Sequence, residues 1–442
     1  MDGTKHEIIE SAIKKAKSMG ADCVDIMYSE SETISATTRL TKLEKLVQAN
    51  ISGIGIRVSV DDRYATISSD NIDALKDDTF IEKVIVAAKN SPKEISKIRA
   101  NSSELCKNFK EIDICDKDFH ENPEYFINEA KKCEDIALQI KGITNSEGSE
   151  AGFARTVFSL TRDDGFFASY EKTTNQISVV TLAEKDGSLE RDYAYSTAVY
   201  NFDLKSADEI AKKAAEKTLK RLGARKIPSC KVPVVFSRET SAQLLNSILS
   251  ALNGSAIARG ISFLKDKLSK KVFSENINIK DKYAIDRGLR SRPFDSEGLE
   301  CRDIDIVNNG IITSFLLNTK YSNKLQMQNT ASASGWEGIS PNNVYIENGK
   351  KSFSELIKNI KNGLYVTEVL GNGVNIVTGD YSQGAVGFWI ENGEIAYPVH
   401  EITIAGNFFD MFSHCDVASD LKIEFGIDSP TIFFDEMIVG GL

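Results

Sequence analysis

The sequence predicts an α+β protein of two domains: an N-terminal α+β domain over residues 1–225 built on an antiparallel sheet, and a C-terminal domain over 226–442 that is mostly antiparallel β with a few helices. Three observations carry this. The chain has 442 residues and is 41% hydrophobic, enough for more than one packed core. Amphipathic segments of helical period alternate with β-branched, period-two segments in the first half, while Asn-Gly turns punctuate the second. Between them, "RKIPSCKVP" brings two prolines and a change of pattern near 222–232, where a linker fits.

Element by element, the first helix runs from about Lys5 to Met19, with Ile8, Ile9, Ala12, Ile13 and Ala16 on one stripe and Gly20 at its stop. "CVDIMYSE", "TISATTRL", "KLVQANISGIGIRVSV" and "RYATISSD" read as an antiparallel meander. Helices follow near 71–90 and 122–140, then strands over 154–200 with Asp-Gly turns at Asp164-Gly165 and Asp186-Gly187. The charged segment "SADEIAKKAAEKTLKRLGA" reads as a helix, "VPVVFS" as the strand that opens the second domain, and Ser237 to Gly254 as its first helix. Asn-Gly hairpin turns are expected at Asn309-Gly310, Asn348-Gly349 and Asn392-Gly393.

Composition narrows the function. A formal charge of −10, from 64 acidic against 54 basic residues, supplies no basic field for nucleic-acid phosphates. The N-terminal stretch has charges where a secretory signal needs an apolar core, and no apolar run approaches the ~20 residues that span a bilayer, so a cytoplasmic location is expected. Seven cysteines are scattered without a C-x-x-C pair, as expected of reduced thiols.

Four stretches could carry chemistry. "PVHEITIAGN" puts His400 before Glu401, the opening of the zinc-protease motif H-E-x-x-H, but no second His follows. His6 and His120 also precede a Glu, again without a second His at ligand spacing. The stretch alternates as a strand, with Val399, Glu401 and Thr403 expected on one side and His400, Ile402 and Ile404 on the other. The isoleucines would face the core, and Glu401 and Thr403 would be available to a ligand. "GNGVNIVTGDYSQGAVGFW" is Gly-dense yet has no phosphate-loop spacing, and around Ser382 the first Gly of G-x-S-x-G is replaced by Asp380. "RPFDSEG" sets Asp295 and Glu297 two apart, as an acid/base or metal pair or as turn formers. In the helix 237–254, Leu244, Leu245, Ile248, Leu249 and Leu252 form the apolar face, beside a stripe of Ser247, Ser250, Ala251 and Gly254 that permits close backbone approach.

The stretches "RPFDSEGLECRDIDIVNNGIITSFLLNT", "GLYVTEVLGNGVNIVTGDYSQGAVGFWIENGEIAYPVHEITIAGN" and "DEMIVGG" resemble, in order and spacing, the TldD/PmbA family and its PmbA (TldE) branch. TldD-type members carry H-E-x-x-x-H on the first helix of the second domain and a Cys ligand in the C-terminal Gly-rich region. With Arg259 as register anchor, those helix positions fall here on Ser247, Ile248 and Ala251, and "EFGIDSPTIFFDEMIVGGL" has no Cys. The resemblance therefore implies a chain with no catalytic or metal-ligating residue and no cofactor of its own. Such a chain would be the partner of a TldD-like subunit that holds zinc, the pair acting on unfolded or short peptides. Self-association is compatible with it. Asp295, Glu297, Asp380, Ser382, Glu401 and Thr403 stand as candidates for peptide contact. Two other readings remain: an autonomous hydrolase built around Asp295, Glu297, Asp380 and Glu401, or a peptide-binding module without catalysis.

Overall fold

The computed structural model describes residues 3–94, 96–120, 122–371 and 373–441. Glu121, of the pair it forms with His120, and Asn372, of the Gly-dense stretch, lie outside them.

The first half is one six-stranded sheet with helices on a single face. Helix α1 (Gly3–Ser18) leads into β1 (Cys23–Arg39), β2 (Lys42–Val60) and β3 (Arg63–Ser69). Helices α2 (Asp78–Asn90) and α3 (Pro123–Gln139) precede β4 (Asn145–Arg162), β5 (Phe167–Lys185) and β6 (Ser188–Ala198), and α4 (Ala207–Arg221) closes the unit. The strand order is β3-β2-β1-β4-β5-β6, antiparallel throughout. The two segments 23–30 and 33–40 form one long strand, β1, whose full length pairs with β2.

Alternation along the strands decides the layers. Val24, Ile26, Ile34 and Ala36 of β1 all point to one side; the first two pack with Ile9 and Ile13 of α1 and Val84 of α2, the last two with Phe126 and Ala130 of α3. Ile177 and Val179 of β5 meet Ile210 and Ala214 of α4 on that same side. α4 starts on a capping box between Ser206 and Glu209, which satisfies donors at both ends of its first turn. The opposite face receives the second half of the chain: Phe158 and Tyr170 pack on Phe294, and the Trp336 indole covers Gly55 and stacks at 4.9 Å on the Arg57 guanidinium.

The second half begins with β7 (Cys230–Phe236), α5 (Arg238–Ala251) and α6 (Gly254–Ala258). A small sheet combines β8 (Ile279–Lys282), β9 (Ile304–Asn308) and β10 (Ile311–Ile312) with later strands. Then come α7 (Thr319–Leu325), the two-residue strands β11 (Ala333–Ser334) and β12 (Gly338–Ile339), β13 (Asn343–Ile346) and α8 (Phe353–Ile357). The chain ends with β14 (Asn362–Leu370), β15 (Asp380–Glu391), β16 (Glu394–Asn407), α9 (Phe408–Ser413), β17 (Cys415–Val417), β18 (Ile427–Asp428) and β19 (Ile432–Gly440). The sheet β16-β15-β14-β7-β19 closes on itself, because β16 also pairs with β19, and β17 is appended to β19. Closure removes the open edges of these strands. The barrel interior, with Val234, Phe236, Leu364, Val366, Ile404 and Phe434, is continuous with the apolar face of α5.

The turn expectations divide. Asp186-Gly187, Asn309-Gly310 and Asn392-Gly393 have both residues at positive φ, as the tightest hairpins require. At Asp164-Gly165 only the glycine does. Asn348-Gly349 is not a hairpin: it links β13 to α8, and its glycine is there because a Cβ would run into the Val417 carbonyl at 1.8 Å.

The strand expectation for 399–404 needs correction. Ala385 pairs with Ile402 and Gly387 with Val399, so His400 and Glu401 together oppose the single residue Val386. That is a β-bulge, with Glu401 at φ 53°. The extra residue moves Val399 onto the core face with Ile402 and Ile404, all nearly fully buried, and turns His400 away from the core. Glu401 and Thr403 are exposed, as expected.

Candidate functional site

A groove of about 420 Å³ runs between the two halves, within the size range of peptide and small-molecule sites. One wall is β6, the edge strand of the N-terminal sheet, which presents Tyr193 and Tyr195 with rings 6.1 Å apart. The other wall is the polar face of α5, with Gln243 and Asn246 turned into the groove. That face is outward because Leu244, Leu245, Ile248 and Leu249 bind the helix to the barrel core.

Ion pairs set the width of the groove. Arg221 of α4 bridges the halves, with its Nε 2.7 Å from Asp192 of β6 and an Nη 2.6 Å from Glu368 of β14. On the other side Lys205 donates to Glu424 at 2.9 Å, and Arg238 lies 3.7 Å from the same carboxylate. Arg221 is nearly buried, so removing one partner would leave a charge in low dielectric. Lys213, by contrast, faces the groove with no hydrogen bond or ion pair among the described residues, and burial pulls its pKa down. A half-buried, unpaired ammonium between two tyrosines and a row of amides offers donors to a ligand carboxylate or carbonyl.

A larger cavity, about 670 Å³, lies in the N-terminal half around Arg99 and Arg162. These cations are already engaged: Arg99 with Asp25 at 2.9 Å and Asp163 at 2.5 Å, Arg162 with Asp164 at 2.7 Å. The cavity is also remote in the chain from α5, and the groove is the better candidate.

The residues singled out in the sequence fall in four places. Asp295 and Glu297 are buried in the loop before β9. Asp295 accepts the backbone N–H groups of Glu297, Leu299 and Ala333 at 2.9–3.1 Å, and Glu297 accepts the N–H and hydroxyl of Thr319, holding the start of α7. Burial raises both pKa values, and for Glu297 the neighbouring Asp295 charge adds to it. Their oxygens are spent on the loop, and neither lines the groove. Asp380 and Ser382 are exposed at the start of β15, where Asp380 binds Thr378 and Asn407 at 2.7 and 2.9 Å. Glu401 pairs with Lys226 at 2.5 Å beside the inter-half linker, with Thr403 exposed on the same strand. Ser247, Ile248 and Ala251 sit on α5: Ser247 donates to the Gln243 carbonyl at 3.1 Å, while Ile248 and Ala251 are fully buried.

The groove side of α5 therefore offers the amides of Gln243 and Asn246 and the single carboxylate of Glu239. Two of the three positions at which zinc ligands were sought point into the core, and among the described residues no three His, Cys, Asp or Glu side chains converge to hold a metal. A zinc site needs at least three imidazole, thiolate or carboxylate donors together, and α5 brings one carboxylate, Glu239, so this donor set does not fit it. The buried Cys415, pushed up to about 12 by desolvation, donates to the Phe412 carbonyl and stays a thiol. The groove itself was not visible in the sequence, since its walls come from five segments spread from Asp192 to Ile427 (β6, α4, α5, β14 and the stretch into β18). The small-residue stripe singled out on α5 does not line the groove. Only part of it permits close approach: Gly254 donates to the Leu316 carbonyl at 2.8 Å, whereas Ser250 is exposed.

Comparison with known proteins agrees along the chain. Models of the PmbA/TldA metallopeptidase family match residues 24–91 as domain 1, 121–222 as the central domain and 229–441 as the C-terminal domain. Metalloprotease PmbA of Escherichia coli O157:H7 is 32% identical over 99% of this chain and 97% of its own length. The zinc metalloprotease TldD homolog of Saccharolobus solfataricus is 25% identical over 94% of this chain and 92% of its own. A crystal structure of a modulator-of-DNA-gyrase protein from Bacteroides thetaiotaomicron superposes with a TM-score of 0.91 at 26% identity, covering all of both chains. TldE from Thermococcus kodakarensis gives 0.86 at 20% identity over 98% of this chain and 100% of its own, a likeness of fold. Among the described residues no helix is long and apolar enough to cross a membrane.

Proposed function

The chain belongs to the PmbA/TldA metallopeptidase family, and we propose that it is the PmbA (TldE)-type subunit of a heteromeric cytoplasmic peptidase whose zinc is held by a TldD-like partner. The observation that carries this reading is α5: it stands at the wall of the inter-half groove and presents Glu239, Gln243 and Asn246 there, with no His or Cys beside them. Its own residues bind and align an unfolded or short peptide. The amides of α5 and the Lys213 ammonium supply hydrogen bonds, Tyr193 and Tyr195 supply apolar contact, and the exposed edge of β6 suits an extended chain. The catalytic water and its activation belong to the partner.

An autonomous hydrolase around Asp295, Glu297, Asp380 and Glu401 finds less support, because two of these carboxylates are buried in loop hydrogen bonds and the other two are paired locally at the surface. A peptide-binding module without catalysis differs from the proposal in the partner alone. Co-purification with a TldD-like chain, followed by peptidase assays of each chain and of the pair, separates the three. The expected result is no cleavage by this chain, chelator-sensitive cleavage by the pair, and no stoichiometric zinc on this chain by elemental analysis. Cleavage by this chain alone, or one tightly held zinc on it, would sink the reading.

A further inference from the structure

Where β5 meets the second half of the chain, three half-buried cations gather without an anion of their own. Lys172 stands two residues after Tyr170 on β5, so it shares the face on which Phe294 packs. Its ammonium donates to the Leu289 carbonyl, and the charges that bear on it most are Arg290 and Arg292, from the loop after β8. The hydrogen bonds of both arginines go to neutral oxygens. Arg290 donates to the Asn342 carbonyl at 3.1 Å, the Ser340 hydroxyl at 2.5 Å and the Pro341 carbonyl at 3.2 Å, and its Nη1 donates to nothing among the described residues. Arg292 donates to the Asn342 side-chain oxygen at 2.9 Å and to the Ala333 and Ser340 carbonyls at 2.9 and 2.8 Å.

The buried carboxylates that act on these arginines are spent elsewhere. Asp281 accepts the Asn342 backbone N–H at 3.0 and 3.1 Å and its side-chain amide at 3.3 Å, and Asp295 takes the three backbone N–H groups of its own loop. Cations held together away from water oppose one another: burial and the neighbouring Arg292 both pull the Arg290 pKa down. Of the three, only the lysine can give up its proton near neutral pH. Burial, with Arg290 and Arg292, lowers its pKa to about 8. About a tenth of the amine is then neutral at pH 7, against roughly one part in 3,000 for an ordinary lysine.

We propose that Lys172 is a carbon dioxide site, where the neutral amine adds to CO2 and the resulting carbamate is held by the guanidinium groups of Arg290 and Arg292. The nitrogen lone pair forms the new N–C bond, the π pair of one C–O bond moves onto oxygen, and the nitrogen releases one proton to solvent. Nothing is oxidised or reduced. The nitrogen keeps one N–H, so the bond to the Leu289 carbonyl survives the addition. The new carboxylate replaces the one cation that can be discharged with the anion that the cluster lacks, and the unused Nη1 of Arg290 offers it a donor. Lys172 belongs to the first half of the chain and both arginines to the second, so the adduct is an ion pair across the boundary that tightens as CO2 rises. None of the three residues lines the groove, and the inference does not depend on the partner proposed above.

The test uses the full chain in carbon-13-labelled bicarbonate near neutral pH, with carbamates fixed by ethylation with a trialkyloxonium salt and mapped by peptide mass spectrometry. The expected result is a labelled ethoxycarbonyl group on Lys172 at about tenfold or more the occupancy of the exposed Lys45 and Lys185. Arg290→Gln, with its fold checked by circular dichroism, is expected to weaken the adduct about tenfold, and Arg290→Lys to weaken it less. Bicarbonate should raise the melting temperature of the wild type but not of Lys172→Met, and sodium chloride at the same ionic strength should not reproduce the rise. Occupancy at Lys172 no higher than at the exposed lysines overturns the proposal, and this comparison needs no variant to fold. So does an adduct undiminished in folded Arg290→Gln. A melting temperature that phosphate raises as much as bicarbonate does, with no labelled Lys172, would make the cluster a site for a free anion and overturn the covalent step.

Discussion

Glu401 shows how one residue can redirect a strand. It sits at φ 53°, its carboxylate pairs with Lys226 at the surface, and its presence as an extra residue puts Val399 and Ile402 on the same buried face. Ile402→Ala is expected to cost about 2–5 kcal/mol, the range for emptying a packed aliphatic site. Glu401→Gly should be neutral or stabilising by up to about 1 kcal/mol, because glycine accepts positive φ without steric penalty. Thermal denaturation of the two variants checks the contrast, and a Glu401→Gly chain that melts below Ile402→Ala would contradict the bulge. Lys172 offers a test by pH. It is half-buried near Arg290 and Arg292, donates to the Leu289 carbonyl, and burial lowers its pKa from 10.5 to about 8. Between those values the unfolded chain binds more protons than the folded one, so stability from this group rises with pH from about 8 to 10.5 and the cost of its charge is full below 8. Lys172→Met should therefore raise the melting temperature at pH 7 and lose its advantage by pH 10.5. A variant that melts lower than wild type at pH 7 would assign Lys172 a structural bond worth more than its buried charge.

Elements were legible where local pattern decides them. Period and caps located α1, α3, α4 and α5 to within about three residues, since each has an apolar stripe and a stop or cap in its own sequence. Closure of the barrel was not legible: the pairing of β16 with β19 depends on how distant strands meet, and nothing in Thr403–Ala405 announces it. The bulge was hidden for a different reason, because a left-handed Glu carries no sequence signal comparable to Asn-Gly. Of the site, α5 was found and its lack of His and Cys was plain, but its groove partners β6 and α4 come from the other half of the chain. This makes α5 the element on which the functional reading can be tested separately from folding. Asn246 is exposed on the groove side, its carbonyl accepts from the Ser250 hydroxyl, and its side chain makes no hydrogen bond among the described residues. Asn246→Trp is expected to leave the melting temperature within a few degrees, leave pairing with a TldD-like chain intact, and raise the KM of the pair for peptides at least tenfold with kcat less affected. An unchanged KM would remove the groove from peptide binding.

At the scale of the whole molecule the two halves behave as one body, because a sheet covered by helices on one face would otherwise expose apolar and charged groups on the other. Three kinds of contact cover that face. The segment 91–120 crosses from α2 to the second half, bonding Cys106 to Gly298 and accepting the Arg287 N–H at Asp113. Tyr64 and Glu94 of the first half share Lys320 of the second, at 2.9 and 3.1 Å. Trp336 lies on Gly55, where an added Cβ would come within 2.6 Å of the indole nitrogen, and stacks on Arg57, which Asp25 holds at 2.8 Å. Trp336 is the contact to test, because its loop contributes little else to either core. Trp336→Ala removes a large aromatic surface and a cation–π contact, together on the order of 3–5 kcal/mol of coupling between halves. Each half keeps its own core, so neither should unfold outright. The expected outcome is that a single calorimetric transition in the wild type separates into two in Trp336→Ala, with the groove losing its fixed width and the pair with a TldD-like chain losing peptide affinity. Gly55→Ala should do the same to a smaller degree, by pushing the indole off its seat. If Trp336→Ala still melts in one transition at the wild-type temperature, the halves are coupled mainly through the 91–120 segment and the Arg221 bridge. Arg221→Ala, which breaks the bridge from Asp192 to Glu368, would then be the variant that divides the transition.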